Sequence, residues 1–182
     1  MQITPTSLPE VLLIEPQVLG DDRGFFMETF QARKFVEAGL PTTFVQDNHS
    51  RSRQGTLRGL HYQIQQAQGK LLRVIIGEIF DVAVDIRRSS ATFGRWVGTF
   101  LSAQNKRQLW VPSGFAHGIF VTSEWAEVLY KTTDFYAPEW ERTIRWDDPD
   151  LGIEWPLTEG QPPLLSAKDS QGKTLRESEI FD

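Results

Sequence analysis

The chain alternates. Within the stretch from Leu71 to Ile86, Phe80, Val82, Val84 and Ile86 fall on one face of an extended segment, with Asp81, Ala83 and Asp85 between them. That is the period-2 pattern of a strand. Trp96, Gly98 and Phe100 against Val97, Thr99 and Leu101 repeat it. Leu109 to Val111 is a short run stopped by Pro112, and Gly118 to Thr122 is expected to form a hairpin with Ala126 to Thr133 through Ser123, Glu124 and Trp125. Turn signals recur every ~8–12 residues, the spacing of a sandwich or barrel. Helix is scarce. One short helix is predicted over Phe30 to Ala38, with Thr29 as N-cap and Gly39 and Pro41 as stop signals, and a second between Lys173 and Phe181. The Pro-rich stretch Trp155 to Pro163 reads as a loop leading to a C-terminal appendage. With no repeat and no charge block, residues 1–182 are expected to form one mainly β domain.

Composition narrows the chemistry. There are no cysteines, which excludes a disulfide scaffold, a thiolate zinc site and a cysteine nucleophile. The 3 histidines are His49, His61 and His117, so imidazole chemistry has few candidates. A net charge of -5 argues against a nucleic-acid partner. The cations are 13 Arg and 6 Lys, and Arg suits bidentate contact with small anions. No apolar run approaches the roughly 20 residues of a membrane span. The N-terminal segment lacks the basic start of a secretory leader, and a cytoplasmic location is expected.

Two segments carry too many specific polar residues to be filler. The first is Gly55-Thr56-Leu57-Arg58-Gly59-Leu60-His61-Tyr62-Gln63 and the second Pro112-Ser113-Gly114-Phe115-Ala116-His117-Gly118. Strict alternation puts His61 and Gln63 on one face and Arg58 on the other, so a shared pocket requires a bulge near Gly59 or an Arg58 outside the strand. Together the segments resemble the paired motifs of the cupin superfamily, which implies a double-sheet jelly roll. Gly55 and His61 fit the first motif, but Gln63 replaces its second histidine and Ala67 or Gln68 its glutamate. Pro112, Gly114 and His117 fit the second, and Val121 replaces its asparagine. Two of the four metal ligands of metal-binding cupins are thus missing, and no metal is expected.

A narrower resemblance runs in order from about Val11 to Asp169. Gly20-Asp21-Asp22-Arg23-Gly24-Phe25-Phe26, Phe44-Val45-Gln46-Asp47-Asn48-His49-Ser50, Leu57-Arg58-Gly59-Leu60-His61, Gln68-Gly69-Lys70, Phe115-Ala116-His117-Gly118 and Leu165-Ser166-Ala167-Lys168-Asp169 are together similar to the dTDP-4-dehydrorhamnose 3,5-epimerase family. The resemblance implies a cofactor-independent conversion of dTDP-4-dehydro-6-deoxy-D-glucose to dTDP-4-dehydro-L-rhamnose, in dTDP-L-rhamnose biosynthesis. It assigns His61 as base, Asp169 as its partner, Lys70 as stabiliser of the enolate and Tyr130 as acid. It assigns substrate contacts to Arg23, Glu28, Gln46, Asp47, Asn48, Arg58, Lys70, His117, Glu141 and Lys168, and thymine stacking to Tyr136. Around Glu141 the run Glu139-Trp140-Glu141-Arg142 departs from the small polar residues expected there. The family also implies a homodimer with an exchanged N-terminal strand, for which Val11 to Ile14 is the candidate edge.

Each residue also has an ordinary reading. Asp169 suits an N-cap, Lys70 a solvated strand entry, Tyr130 a buried hydrogen-bonded Tyr, Asp47-Asn48 a turn and Arg23 an exposed pairing with Asp21 or Asp22. Other functions on the same scaffold are a 3-epimerase or 3,4-ketoisomerase of dTDP-sugars, a non-catalytic sugar-nucleotide binder and a metal-dependent dioxygenase.

Overall fold

The computed structural model describes residues 1–182. Its strands are β1 (Gln2–Pro5), β2 (Leu12–Glu15), β3 (Val18–Asp21), β4 (Gly24–Met27), β5 (Gln46–Arg53), β6 (Leu57–Gln63) and β7 (Lys70–Ile76). They continue as β8 (Glu78–Asp85), β9 (Trp96–Ser102), β10 (Gln108–Val111), β11 (Phe115–Val121), β12 (Trp125–Thr132) and β13 (Glu141–Thr143). The only α-helix is α1 (Ala32–Glu37). A six-stranded sheet in the order β1-β2-β10-β7-β12-β5 faces a five-stranded sheet in the order β13-β6-β11-β8-β9, and β3 and β4 form a separate hairpin. The strand pairs are antiparallel. This is the mainly β, cupin-type sandwich that the sequence led us to expect.

The core between the sheets is built by inward residues of both: Leu72, Val74 and Val128 from one, Ile79, Ala83, Leu101 and Ile119 from the other. The apolar stripe Phe80, Val82, Val84 and Ile86 of β8 points away from that core. It packs under Ile144, Leu151, Trp155 and Leu175, so the C-terminal segment covers the back of the five-stranded sheet. On the six-stranded sheet, Phe35 of α1 and Leu40 cover Ile14, Leu71 and Trp110 in the same way. Both sheets are thus buried on two faces over much of their area.

Three expectations are corrected. Gly118–Thr122 and Ala126–Thr133 do not pair: β11 lies between β6 and β8, whereas β12 lies between β7 and β5 of the opposite sheet. Alternation fixes which side of a strand is apolar, not which strand is its neighbour. The link crosses between sheets at Ser123, whose Oγ accepts from Glu78 N at 2.8 Å and donates to Trp125 O at 2.6 Å. The helix is also shorter than Phe30 to Ala38. Gln31, not Thr29, caps it, its side chain accepting from Lys34 N at 2.8 Å. Phe30 is diverted into edge-on contact with Phe35 and Phe44 at 4.7 and 5.8 Å between ring centres. Gly39, at φ +72, lies just past the C-cap Ala38, as expected of a stop signal. Near the C-terminus the helix expected between Lys173 and Phe181 reduces to one 3₁₀ turn at Leu175–Glu177, and a second such turn, Asp169–Gln171, lies before that span. The run Val11 to Ile14 is paired within the chain, since β2 has β1 on one side and β10 on the other.

Candidate active site

At one end of the sandwich the apolar core gives way to a cavity of about 340 Å³, lined from both sheets. β6 supplies Arg58 and His61, and the way it does so is local. His117 pairs with His61, but Ile119 pairs with Arg58, so β6 carries one residue more than β11 over this interval. The bulge switches the phase of alternation and turns both side chains toward the cavity. Glycine permits it. Gly59 has φ +137, and a Cβ there would lie 2.5 Å from Gly118 Cα and 2.9 Å from His117 O. Arg58 is then held by Ser52, whose Oγ accepts from Nε at 3.0 Å. It has no carboxylate partner.

His61 Nε2 lies 2.6 Å from Asp169 Oδ1. Asp169 is buried and also accepts from Ser166 Oγ at 2.6 Å and Gly59 N at 3.2 Å. Burial alone would raise its pKa, but the hydrogen bonds from His61 and Ser166, with the Gly59 N–H, hold it well below the usual carboxylate range. A carboxylate accepts, so Nε2 carries the proton and Nδ1, which has no protein partner, is left as the basic nitrogen. Burial lowers the His61 pKa, the Asp169 hydrogen bond opposes this, and the charges of Lys168 and Lys70 add to the lowering. Lys70, at the start of β7, donates to His61 O at 3.4 Å. Burial lowers its ammonium to about 8, against the support of Glu141 and Asp81. Tyr130 enters from β12 in the opposite sheet. Its hydroxyl makes no hydrogen bond within the protein, and burial raises its pKa, with Arg58 opposing and Glu141 assisting. It stays protonated at neutral pH.

The mouth is polar. Glu141 joins Lys168 Nζ at 2.8 Å to Tyr136 OH at 3.0 Å. Gln46 reaches Asn48 Oδ1 at 2.8 Å and accepts from Tyr136 N at 2.9 Å, while Asn48 Nδ2 is buried without a partner. His117 also lines the cavity, its Nε2 2.9 Å from Asp81 Oδ1. The structure therefore gathers Gln46, Asn48, Arg58, His61, Lys70, His117, Tyr130, Tyr136, Glu141 and Lys168, with Asp169 behind His61. Three candidates lie elsewhere. Asp47 alternates to the outer face and pairs with Lys131 at 2.7 Å. Glu28 pairs with Lys34 at 2.7 Å. Arg23, on the β3–β4 hairpin, pairs with Asp21 at 2.5 Å with its side chain 90% exposed. Ser50, Gln68 and Thr132 also line the cavity, although none was expected to contact substrate. Extending the alternation Gln46, Asn48 along β5 finds Ser50 and Ser52. Asp169 sits in the first turn of its 3₁₀ segment and does not cap it.

Gln63, at the position of the second cupin histidine, is turned to structural use: its amide bonds Gln66 O at 2.7 Å, Phe135 O at 3.1 Å and Ala137 N at 2.9 Å. It thereby fixes the loop that carries Tyr136. His49 stands apart on an exposed edge, 2.9 Å from Glu127. The cavity thus offers a carboxylate-backed imidazole, a tyrosine facing it from the other sheet and several cations, an outfit for moving protons on an anionic substrate.

Comparison with known proteins agrees with that outfit. The family model described as dTDP-4-dehydrorhamnose 3,5-epimerase matches residues 5–177. The dTDP-4-dehydrorhamnose 3,5-epimerase of Pseudomonas aeruginosa is 63% identical over 100% of this chain and 99% of its own length. That of Shigella flexneri is 56% identical over 100% and 99%. Among solved structures, a dTDP-6-deoxy-D-glucose-3,5-epimerase of Legionella pneumophila in complex with dTDP-4-keto-L-rhamnose superposes with a TM-score of 0.94 at 54% identity, covering 98% of this chain and 94% of that one. With motifs, fold and cavity concordant over nearly its whole length, the chain belongs to the dTDP-4-dehydrorhamnose 3,5-epimerase family.

Proposed function

We infer that the chain converts dTDP-4-dehydro-6-deoxy-D-glucose to dTDP-4-dehydro-L-rhamnose, an isomerase reaction in dTDP-L-rhamnose biosynthesis. The observation that carries the mechanism is the placement of His61 and Tyr130 on opposite sheets around one cavity. Inversion needs a proton taken from one face of a carbon and another delivered to the opposite face. C3 and C5 both flank the C4 carbonyl, so one enolate chemistry serves both centres.

His61 Nδ1 takes the α-proton, and Asp169 steadies the imidazolium that results. The electron pair moves into the carbonyl, and Lys70 meets the charge that develops on O4. Tyr130 delivers a proton from the other side, its raised pKa suiting an acid that must not compete as a base. The steps are redox-neutral and call for no hydride acceptor. Arg58, unpaired and oriented through Nε by Ser52, suits the diphosphate. Tyr136 offers a ring to thymine, Gln46 and Asn48 offer donors and acceptors to polar edges, and His117, Glu141 and Lys168 contact the remaining substrate atoms.

A homodimer completes the proposal. The β3–β4 hairpin leaves Phe25 60% and Phe26 70% exposed beside the solvent-facing Arg23–Asp21 pair, an apolar surface that suits burial against a second copy. Arg23 and Glu28 would then serve the neighbouring cavity. No helix is long and apolar enough to cross a membrane. From the nucleotide-sugar substrate we infer that the enzyme, residues 1–182 acting as one domain, works in the cytoplasm. Turnover in deuterated water tests the reaction: label at both C3 and C5 of the product is expected, and label at C3 alone would overturn the double epimerisation.

A further inference from the structure

We propose that Asp81 is a positioning residue for this reaction, holding His117 with Nδ1 toward the substrate and adding a negative charge to the surroundings of Lys70. The inference rests on the epimerase reading of the cavity. His61 and His117 are direct cross-strand partners on β6 and β11, and both turn Nε2 onto a buried carboxyl group, Asp169 at 2.6 Å and Asp81 at 2.9 Å. The cavity is therefore flanked by two imidazole–carboxyl pairs, of which the mechanism above uses one.

Packing alone gives no reason for Asp81. It is fully buried on β8, and it shares the inward face with Ile79 and Ala83 of the core. An apolar residue at such a place would ordinarily be as stable or more so. Its Oδ1 has His117 as its one partner, and its Oδ2 has none. A buried acceptor left in that state is costly, which is hard to reconcile with a purely structural role. His117 Nδ1 makes no bond within the protein, so the ring is fixed at one edge and open at the other.

Lys70 receives the second effect. The charged groups around it are Glu141 from β13, Asp81 from β8 and Lys168 from the C-terminal segment; His61 on β6 contributes its carbonyl. Glu141 and Asp81 sustain the ammonium against burial, while Lys168 opposes them. Glu141 is already bonded to Lys168 and Tyr136, so Asp81 is the acid without a competing cation bond.

The test uses Asp81→Asn, His117→Asn and the double variant, with kcat and KM on the dTDP-4-dehydro sugar, dTDP affinity by calorimetry, and melting temperature. Asp81→Asn is expected to lower kcat by about 10- to 100-fold, the scale of a small misplacement at a reacting centre, with dTDP affinity nearly unchanged. Its alkaline limb in kcat/KM should move to lower pH, because Lys70 has lost a supporting charge; a structural role would leave the limb of the surviving enzyme in place. The double variant should be no slower than the slower single variant. Parental kcat with a parental pH profile in Asp81→Asn overturns the proposal, as do losses that multiply in the double variant. If Asp81→Asn does not fold, Asp81→Ser, too short to reach Nε2 and small enough for the site, carries the same comparison. A parent protein that binds dTDP but forms no product defeats the epimerase reading itself, which is a separate outcome.

Discussion

Two carboxyl groups on the same strand and the same face of β8, Asp81 and Asp85, are both fully buried, yet their surroundings are opposite. Asp85 accepts from Arg87 N at 3.0 Å, Nε at 2.9 Å and Nη2 at 2.8 Å, and from Ser90 and Thr92 hydroxyls at 2.6 Å each. Asp81 has a single bond to a histidine that faces a cavity. At Asp85 charge and hydrogen-bonding capacity are closed within the protein, and burial, which alone would raise its pKa, is outweighed by Arg87, Ser90 and Thr92. In the cavity that His117 lines, Arg58 lacks a carboxylate, Tyr130 lacks a hydrogen bond and Asn48 Nδ2 lacks an acceptor. A satisfied polar cluster holds the fold; an unsatisfied one at the same depth is complementary to something outside the chain.

The contrast is breakable by mutation. At the cavity end, His61→Ala is expected to lower kcat by about 10²- to 10⁴-fold, the usual contribution of a general base, while the protein remains folded by circular dichroism. A variant with more than a tenth of parental kcat would remove His61 as the base. At the closed end, Asp85→Ala is expected to cost about 3–5 kcal/mol in denaturant unfolding, because Arg87, Ser90 and Thr92 together lose their shared acceptor and Arg87 keeps only Glu10 as an ion partner. The molecules that stay folded should turn over at the parental rate. A large fall in their kcat would show that the two ends are coupled and that the distinction drawn between them is false.

Tyr136→Ala probes the mouth, where effects should be smaller. Loss of a stacking ring is worth about 1–3 kcal/mol per base, so dTDP affinity should fall while inorganic diphosphate affinity stays the same. Equal losses for both would place Tyr136 against the phosphates and not the base. The pairing of His61 with Asp169 across 108 residues was legible only through the family motifs, since spacing alone left Asp169 as a helix cap. The bulge was half legible from the residues themselves: a pocket shared by Arg58 and His61 required either a bulge near Gly59 or an Arg58 outside the strand, and the structure takes the first. Three things were not. Period-2 alternation identifies faces but not neighbours, which is why β11 and β12 were wrongly paired. It does not reveal that the C-terminal segment buries the back of β8. Nor does it say that Asp47, one residue from two cavity residues, must point outward, although strict alternation along β5 carries that information once the strand is known to start at Gln46.

The smallest expected effect lies in the pH profile. Proton removal needs His61 neutral, so the acid limb of kcat/KM should fall below the ordinary imidazole value of about 6.5, in keeping with the lowering that burial imposes. Enolate stabilisation needs Lys70 charged, so the alkaline limb should lie near its value of about 8. Glu141 is the leading charge that keeps Lys70 from falling further. In Glu141→Gln that support is lost, and Lys168, released from its 2.8 Å ion pair, repels Lys70 without compensation. Both changes lower the Lys70 pKa. The alkaline limb should therefore move toward acid by up to about one unit, the scale of a single neighbouring charge, whatever happens to KM. A limb that stays near the parental position, or moves to higher pH, would mean that the group titrating there is not Lys70, and the charge on O4 would then need another donor among the residues of the cavity.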